Sequence, residues 1–393
     1  MAITGIGAVS AAGIGVDVFE QALLKPSRVF SHNTRHDLDL DVIVGEAREE
    51  WFATHDHPDL DSPTGRLCLS AARECEKNGR ENGAGSLDGL SLGTSTGGQS
   101  VNERVVFDLL NSRDPGPFNY RRQGCMAAPS RLVARDLGID GPVRTISTAC
   151  TSSANAIALG TSWILSGKCR TVLAGGGDAL CHTTISSFCA LELTGPRMCT
   201  PFAADRPGLT LGEGAGFLVL ESLEEVLAAR RKPIAELLGV GMSSDAHHMT
   251  APPQDGSGAE NAMRAALRHA GLSPSDVHHI NAHGTGTQLN DSSEAKAIDR
   301  LFDHDPPVMS CKGLIGHTLG GAGGLEAVAS VLALRKRTAF ANLGADRADP
   351  ECPVSLVGPG GLRLPDDPVI ISNSFAFGGN NCSLIFGGSE VSQ

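Results

Sequence analysis

The chain has 393 residues, 41% of them hydrophobic, and its 32 basic against 44 acidic side chains give a formal charge of −12. That length supports a large core and two domain-sized halves, while the acidic balance excludes a broad phosphate-neutralising face and with it nucleic-acid binding. The 11 cysteines are odd in number and lack a CxxC pair, which excludes a disulfide framework and a structural zinc site and fits a reducing cytoplasm.

Taken in order, the start MAITGIGAVSAAG holds a strand over Ile3–Gly7 but no basic segment ahead of an apolar one, so it is not a signal peptide. No apolar run is long enough to span a membrane. A helix over Val16–Leu24 follows, and then an acidic stretch, Leu38–Asp61, that reads as a solvated face. Apolar strands bounded by glycine turns recur at Leu90–Gly93, Arg144–Thr148, Thr171–Gly175, Gly216–Leu220, Ala235–Met242, His279–Ala282, Val308–Ser310 and Val369–Ser374. Helical patterns fall between them, at Pro63–Asn78, Asn102–Leu110, Ser153–Ser166, Leu223–Arg231, Gly258–Ala270, Ser292–Leu301 and Gly321–Arg335. This alternation is the signature of an α/β fold. Three stretches of the first half echo the second in the same order: 90–98 with 279–287, 144–165 with 308–334, and 170–179 with 368–379. Repetition at that scale predicts a duplicated α/β unit.

The stretch TISTACTSS places Cys150 between a strand and a helix of small residues. Unpaired N–H groups at a helix start lower a thiol's pKa and can bind an oxyanion, so this is the cysteine with the best claim to be a nucleophile. His283 in NAHGTGT and His317 in KGLIGHTLGG sit at two further strand–turn–helix junctions. Lys312, in the same apolar turn, needs a partner such as Glu326 or else carries a perturbed pKa. Phe375 and Phe377, in NSFAFGGNN, read as a lid on a glycine hinge. GTSTGG, GGGDA and GEGAG match no phosphate-binding fingerprint, which excludes a nucleotide cofactor.

Seven motifs in order then resemble the β-ketoacyl-acyl carrier protein synthases of the thiolase superfamily, synthase II type: TGIGAVSAAG, TACTSSANA, LGEGAGFLVLE, GMSSDAHHMTAPPQDG, NAHGTGTQLND, KGLIGHTLGGAGGLEAV and NSFAFGGNNCSLIF. The resemblance covers nearly the whole chain. It implies a thiolase-like fold of duplicated βαβαβ halves in five αβαβα layers, with residues 1–233 as the nucleophile half and 234–393 as the histidine half. It also implies decarboxylative condensation of malonyl-carrier protein with a Cys150-bound acyl group, giving a 3-oxoacyl chain in fatty-acid, polyketide or aryl-polyene synthesis. Substrates ride on the phosphopantetheine arm of acyl carrier protein, with no metal or other cofactor. The partner is a second copy or a related chain-length-factor subunit.

By the same resemblance His283 and His317 support decarboxylation, Lys312 tunes the site and Glu326 is the acidic residue linked to it. Thr285 and Thr287 bond the pantetheine arm, and Phe377 gates the site with Phe375 beside it. The N–H groups of Cys150 and Phe377 form the oxyanion hole, residues 243–256 form a second mobile loop, and Arg121 and Arg122 dock the carrier protein. The sequence departs from the pattern at Pro207-Gly208-Leu209, at Ala376 and at Glu192, all of which bear on substrate range. Three other readings compete: a non-catalytic chain-length factor, which would lack the nucleophile; a thiolase, which needs a second catalytic cysteine where only Cys382 is near; and a cysteine hydrolase, which leaves Lys312 and His317 without a role.

Overall fold

A computed structural model describes residues 1–36 and 38–388. Ten strands build the frame: β1 (Ala2–Ser10), β2 (Gly89–Gly93), β3 (Val143–Ile146), β4 (Thr171–Asp178), β5 (Gly214–Glu221), β6 (Ala235–Ser244), β7 (His279–Asn281), β8 (Val308–Met309), β9 (Val369–Ala376) and β10 (Asn380–Gly387). Their order is β8-β7-β9-β10-β6-β1-β5-β4-β2-β3. The list is the same five-strand pattern written twice about its centre, with β1 to β5 mirrored by β6 to β10. In each half the strand at the second position is parallel to both neighbours and the remaining contacts are antiparallel. The halves join where β1 meets β6 through Ala2↔Glu236 and Ile3↔Ala235.

Helices α1 (Pro63–Glu81) and α2 (Ala128–Asp136) cover the outside of the first half-sheet, and α5 (Ser257–Ala270) and α6 (Gln288–Leu301) that of the second. Two more lie between the half-sheets, α3 (Ser152–Leu165) and α7 (Ala322–Lys336). The result is the five-layered thiolase-like arrangement. The sequence explains which helix goes where. α1 starts on Ser62, whose hydroxyl accepts from Gly65 N–H, with Pro63 in the first turn. α5 buries Ala259, Ala262, Met263, Ala266 and Leu267 on one stripe and ends at Gly271 in the left-handed region. α7 is buried on every side from Ala322 to Leu334, and its small residues let two sheets approach it at once.

That approach is tight. A Cβ at Gly216 of β5 would lie 2.4 Å from the Gly324 carbonyl carbon, and one at Gly324 would lie 2.4 Å from the Gly216 carbonyl oxygen. Backbone lies on both sides, so neither residue can yield. Gly216→Ala and Gly324→Ala are each expected to destabilise the fold by about 3 kcal/mol or more, the upper end for overpacking, read as a lowered denaturant midpoint.

The structure departs from the sequence expectations in three places. The stretch after Leu38 is not simply a solvated face: Ile43–Gly45 is a buried strand pairing with Leu211–Gly212, and Val42, Val44, Ala47 and Leu60 are core. Strand β10 was not expected, because the glycine turn ahead of it reads as a hinge rather than a hairpin. A helix α4 (His182–Ala190) occupies the cysteine-rich segment.

Candidate active site

The turns that follow β2, β3, β7, β8 and β9 all leave the carboxyl ends of their strands, where open α/β sheets place ligand sites. The turn after β3 carries Cys150. Ala149 just before it sits at φ +51°, a strained conformation for a residue with a Cβ, held by Ser152 Oγ and Ser95 Oγ donating to its carbonyl at 2.6 and 3.0 Å. The turns after β7 and β8 bring in His283 and His317, with ring centroids 5.3 Å apart and planes at 85°. The Cys150 sulfur and a nitrogen from each ring lie within 4.8 Å of one another, and all three residues are buried. Three residues far apart in sequence thus converge on one cavity of about 300 Å³.

The hydrogen bonds around the rings fix their tautomers. Lys312 Nζ, which can only donate, lies 3.1 Å from His283 Nδ1, and Leu319 N–H donates to His317 Nδ1 at 3.2 Å. Each Nε2 therefore carries the proton. Burial, then the Lys312 charge, push both imidazoles well below the usual histidine range, so both are neutral. The cavity is furnished with two uncharged N–H donors beside a thiol, an arrangement able to bind a developing oxyanion.

Lys312 is itself buried, held by Glu326 and by the His283 carbonyl at 2.5 Å. Burial alone would depress the ammonium, but the surrounding groups, Glu326 foremost with Cys311 and Glu294, together outweigh it and keep Lys312 above its ordinary value. Ser374 Oγ donates to the other Glu326 oxygen.

The thiol runs against the sequence expectation. Burial pushes Cys150 up to about 11, against the opposing pull of Lys312 and a hydrogen bond from Phe377 N–H. A helix start lowers a thiol's pKa only where its field outweighs the loss of water, and here it does not. Labelling of Cys150 by iodoacetamide is accordingly expected to rise with pH to a midpoint near 11, followed on the Cys150 peptide by mass spectrometry; a midpoint near the free-thiol value would show the desolvation to be absent.

Thr285 and Thr287 line the cavity with their hydroxyls 2.9 Å apart. Phe377 lies in the β9–β10 turn, with Gly378 and Gly379 at positive φ, and stacks on Phe188 of α4 at 5.9 Å. Phe375 is placed differently: it is inside β9, buried, and meets the His283 ring edge-on at 6.0 Å. The 245–256 loop is bonded to the same turn, through Asp245 N–H to Gly379 O, Gly378 N–H to Met249 O, and Asn381 Nδ2 to Asp245 Oδ1. The cavity is also lined by Glu192, Pro207, Gly208, Leu209 and Ala376, so every departure noted in the sequence faces it. Arg121 and Arg122 do not. They lie in an exposed turn where Arg122 pairs with Asp59, beside Arg131 and Arg135.

Sequence reading missed three buried carboxylates that grip these turns through backbone N–H groups. Glu294 accepts from His283 and Gly284, and burial pushes it up to about 7. Asp291 accepts from Thr285, Gly286 and Phe202. Asp178 holds the turn after β2. Asp291 and Asp178 stood inside quoted stretches, NAHGTGTQLND and GGGDA, but nothing in their spacing marked them.

Comparison with known families decides what this constellation belongs to. Residues 1–226 match the family described as beta-ketoacyl synthase, N-terminal domain, and residues 234–346 match its C-terminal domain. The chain belongs to the β-ketoacyl synthase family. The enzyme is 34% identical to 3-oxoacyl-[acyl-carrier-protein] synthase 2 of Staphylococcus aureus strain COL, covering 98% of this chain and 97% of that one. It is 39% identical to nodulation protein E of Rhizobium meliloti strain 1021 over 76% and 75% of the two chains. Among solved structures it resembles the ishigamide ketosynthase/chain length factor, with TM-score 0.91, 31% identity and 98% of each chain covered. It also resembles a ketosynthase in complex with its chain length factor from Xenorhabdus doucetiae, with TM-score 0.87, 36% identity and 98% and 97% coverage. The enzyme is thus an acyltransferase of the condensing class. The thiolase alternative fails on geometry too, since Cys382 is buried in β10 and does not line the cavity. Among the described residues no helix is long and apolar enough to cross a membrane.

Proposed function

We propose that the enzyme elongates acyl chains carried by an acyl carrier protein in a specialised, polyketide-type pathway, working beside a chain-length-factor subunit. Cys150 takes the acyl group as a thioester and releases the carrier's thiol. A malonyl-carrier protein then loses carbon dioxide, and the negative charge left on its thioester oxygen is met by the Nε2–H groups of His283 and His317. The carbanion attacks the Cys150 thioester, whose oxygen faces the N–H groups of Cys150 and Phe377. The collapsing intermediate expels the cysteine thiolate and leaves a 3-oxoacyl chain two carbons longer. Lys312, steadied by Glu326, holds His283 in the donor tautomer. Thr285 and Thr287 bond the pantetheine arm, Phe377 closes over the acyl group against Phe188, and Arg121 and Arg122 meet acidic side chains of the carrier. The convergence of Cys150 with two neutral, Nε2-protonated imidazoles carries this reading.

The partner is supported by surface chemistry. β3 ends the sheet with one edge unpaired, and the helix Gln99–Leu110 exposes Val106, Phe107, Leu109 and Leu110. An open strand edge and an exposed apolar helix face are each surfaces that natural proteins cover. Substrate range is set by the residues that depart from the family pattern, because Glu192, Pro207, Leu209 and Ala376 all face the cavity.

The test is a panel of acyl-carrier proteins, from short and long alkyl to aryl-enoyl, presented to the enzyme alone and with a co-expressed chain-length factor. Loading is followed by intact mass and elongation by adding malonyl-carrier protein. Loading and elongation that need the second subunit support the reading. Equal rates alone, with a preference for saturated alkyl chains, would assign the enzyme to fatty-acid elongation as a homodimer.

A further inference from the structure

Asp178, at the end of β4, is wholly buried and does not line the cavity. The chemistry above leaves it without a role, yet it accepts five hydrogen bonds. Oδ1 takes them from Thr94 Oγ1, Thr96 Oγ1 and Thr96 N–H at 2.5, 2.7 and 2.9 Å. Oδ2 takes them from Ser95 N–H at 2.8 Å and Gly320 N–H at 2.7 Å. All five donors are neutral, so a full negative charge is held in the core by dipoles alone, an expensive device for a purely structural tie.

Its two oxygens lead to the two reacting sides of the site. Ser95, gripped through its N–H, donates its hydroxyl to the carbonyl of Ala149, the strained residue that presents Cys150. Gly320 follows Leu319, also at positive φ, whose N–H donates to His317 Nδ1 and sets that ring's tautomer. A Cβ on Gly320 would lie 2.6 Å from Ser95 N and 2.7 Å from Asp178 Oδ2, so the contact closes only around a glycine. The first turn belongs to the nucleophile half and the second to the histidine half.

We propose that Asp178 is the positioning residue that sets Cys150 against His317, one carboxylate tying together the turn that presents the thiol and the turn that presents the imidazole. The proposal rests on the condensing-enzyme reading for its consequence but on geometry for its content. It explains why the residue is a carboxylate. The three backbone N–H partners can only donate, and an asparagine has one acceptor oxygen, so its NH2 must face at least one of them and break a tie.

The test is Asp178→Asn together with Ser95→Ala, in the full chain. Acyl transfer to Cys150, decarboxylation of malonyl-carrier protein, iodoacetamide labelling of Cys150 against pH, and thermal unfolding are measured for each. In Asp178→Asn both half-reactions are expected to fall together by about 100-fold, the scale of a displacement near 1 Å, in protein that remains folded. The labelling midpoint should move to lower pH, because Asp178 is among the charges that raise the thiol. Ser95→Ala cuts only the tie to Ala149 and should slow acyl transfer about tenfold, the worth of one hydrogen bond, with decarboxylation unchanged. Half-reactions in Asp178→Asn that stay near native, or fall only with the folded fraction, would overturn the proposal. If that variant does not fold, native acyl transfer in Ser95→Ala overturns it. If the unaltered enzyme performs neither half-reaction, the condensing reading fails instead, and the labelling profile of Asp178→Asn still decides the geometry: an unmoved midpoint and rate count against it.

Discussion

Cys150→Ala is expected to abolish condensation while leaving decarboxylation of malonyl-carrier protein in place. Among the described residues no other thiol lines the cavity, so condensation should fall by a factor on the order of 10⁴–10⁶, the range seen when a covalent nucleophile is removed. The donors proposed for decarboxylation are the Nε2–H groups of His283 and His317, whose tautomers are fixed by Lys312 and by Leu319 N–H rather than by the thiol. Released carbon dioxide without elongated product, and no acyl adduct by intact mass, is the expected pattern. An acyl adduct on the variant would move the nucleophile elsewhere, and loss of decarboxylation would show that the thiol itself takes part in that step. The thiol occupies little space at the start of α3, so alanine there should not disturb packing.

The second large effect concerns the buried pair. Lys312→Met leaves Glu326 charged, dry and without its cation, and breaking such a pair typically costs about 3–5 kcal/mol. The double variant Lys312→Met/Glu326→Leu removes both charges and should regain most of that stability, since apolar side chains of similar volume replace buried ion pairs at little net cost. Activity should not follow stability. With Lys312 gone, nothing donates to His283 Nδ1 and the ring is free to take the wrong tautomer, so decarboxylation should fall by about 10²–10³-fold in single and double variants alike, the loss expected for one oxyanion donor. Denaturant midpoints and carbon dioxide release, measured on the same preparations, separate the two. A double variant as unstable as the single would mean that Glu326 is needed for its bond with Ser374 rather than as a counter-charge; recovered decarboxylation would remove Lys312 from the tuning of His283.

The frame was legible because its strands end on glycine turns and its buried helices are built of small residues, two signals that composition cannot hide. β10 was not, since NNCSLIFG has few β-branched residues and follows a turn that reads as a hinge. α4 was not, since HTTISSFCA is poor in helix formers and is set by packing rather than propensity. In the site, Cys150, His283, His317, Lys312 and Glu326 stood out because a reactive or charged side chain in an apolar, glycine-rich stretch needs a reason. Asp178, Asp291 and Glu294 did not, because a carboxylate that grips backbone N–H groups requires no partner residue and so leaves no pattern in the letters. The thiol's elevated pKa was misjudged in direction for a related reason: the dipole of a helix can be read from sequence, whereas the amount of water excluded around it cannot.

The doubled sheet order has a bearing on how the enzyme can be disturbed. The thiol comes from one repeat and both imidazoles from the other, while the repeats share a strand contact of only two residue pairs, Ala2↔Glu236 and Ile3↔Ala235. The distances from the thiol to the two imidazoles therefore span the repeats, and they are held where α7 of the second repeat packs on β5 of the first across Gly216 and Gly324. A disturbance of that packing, remote from the cavity, would alter both distances together.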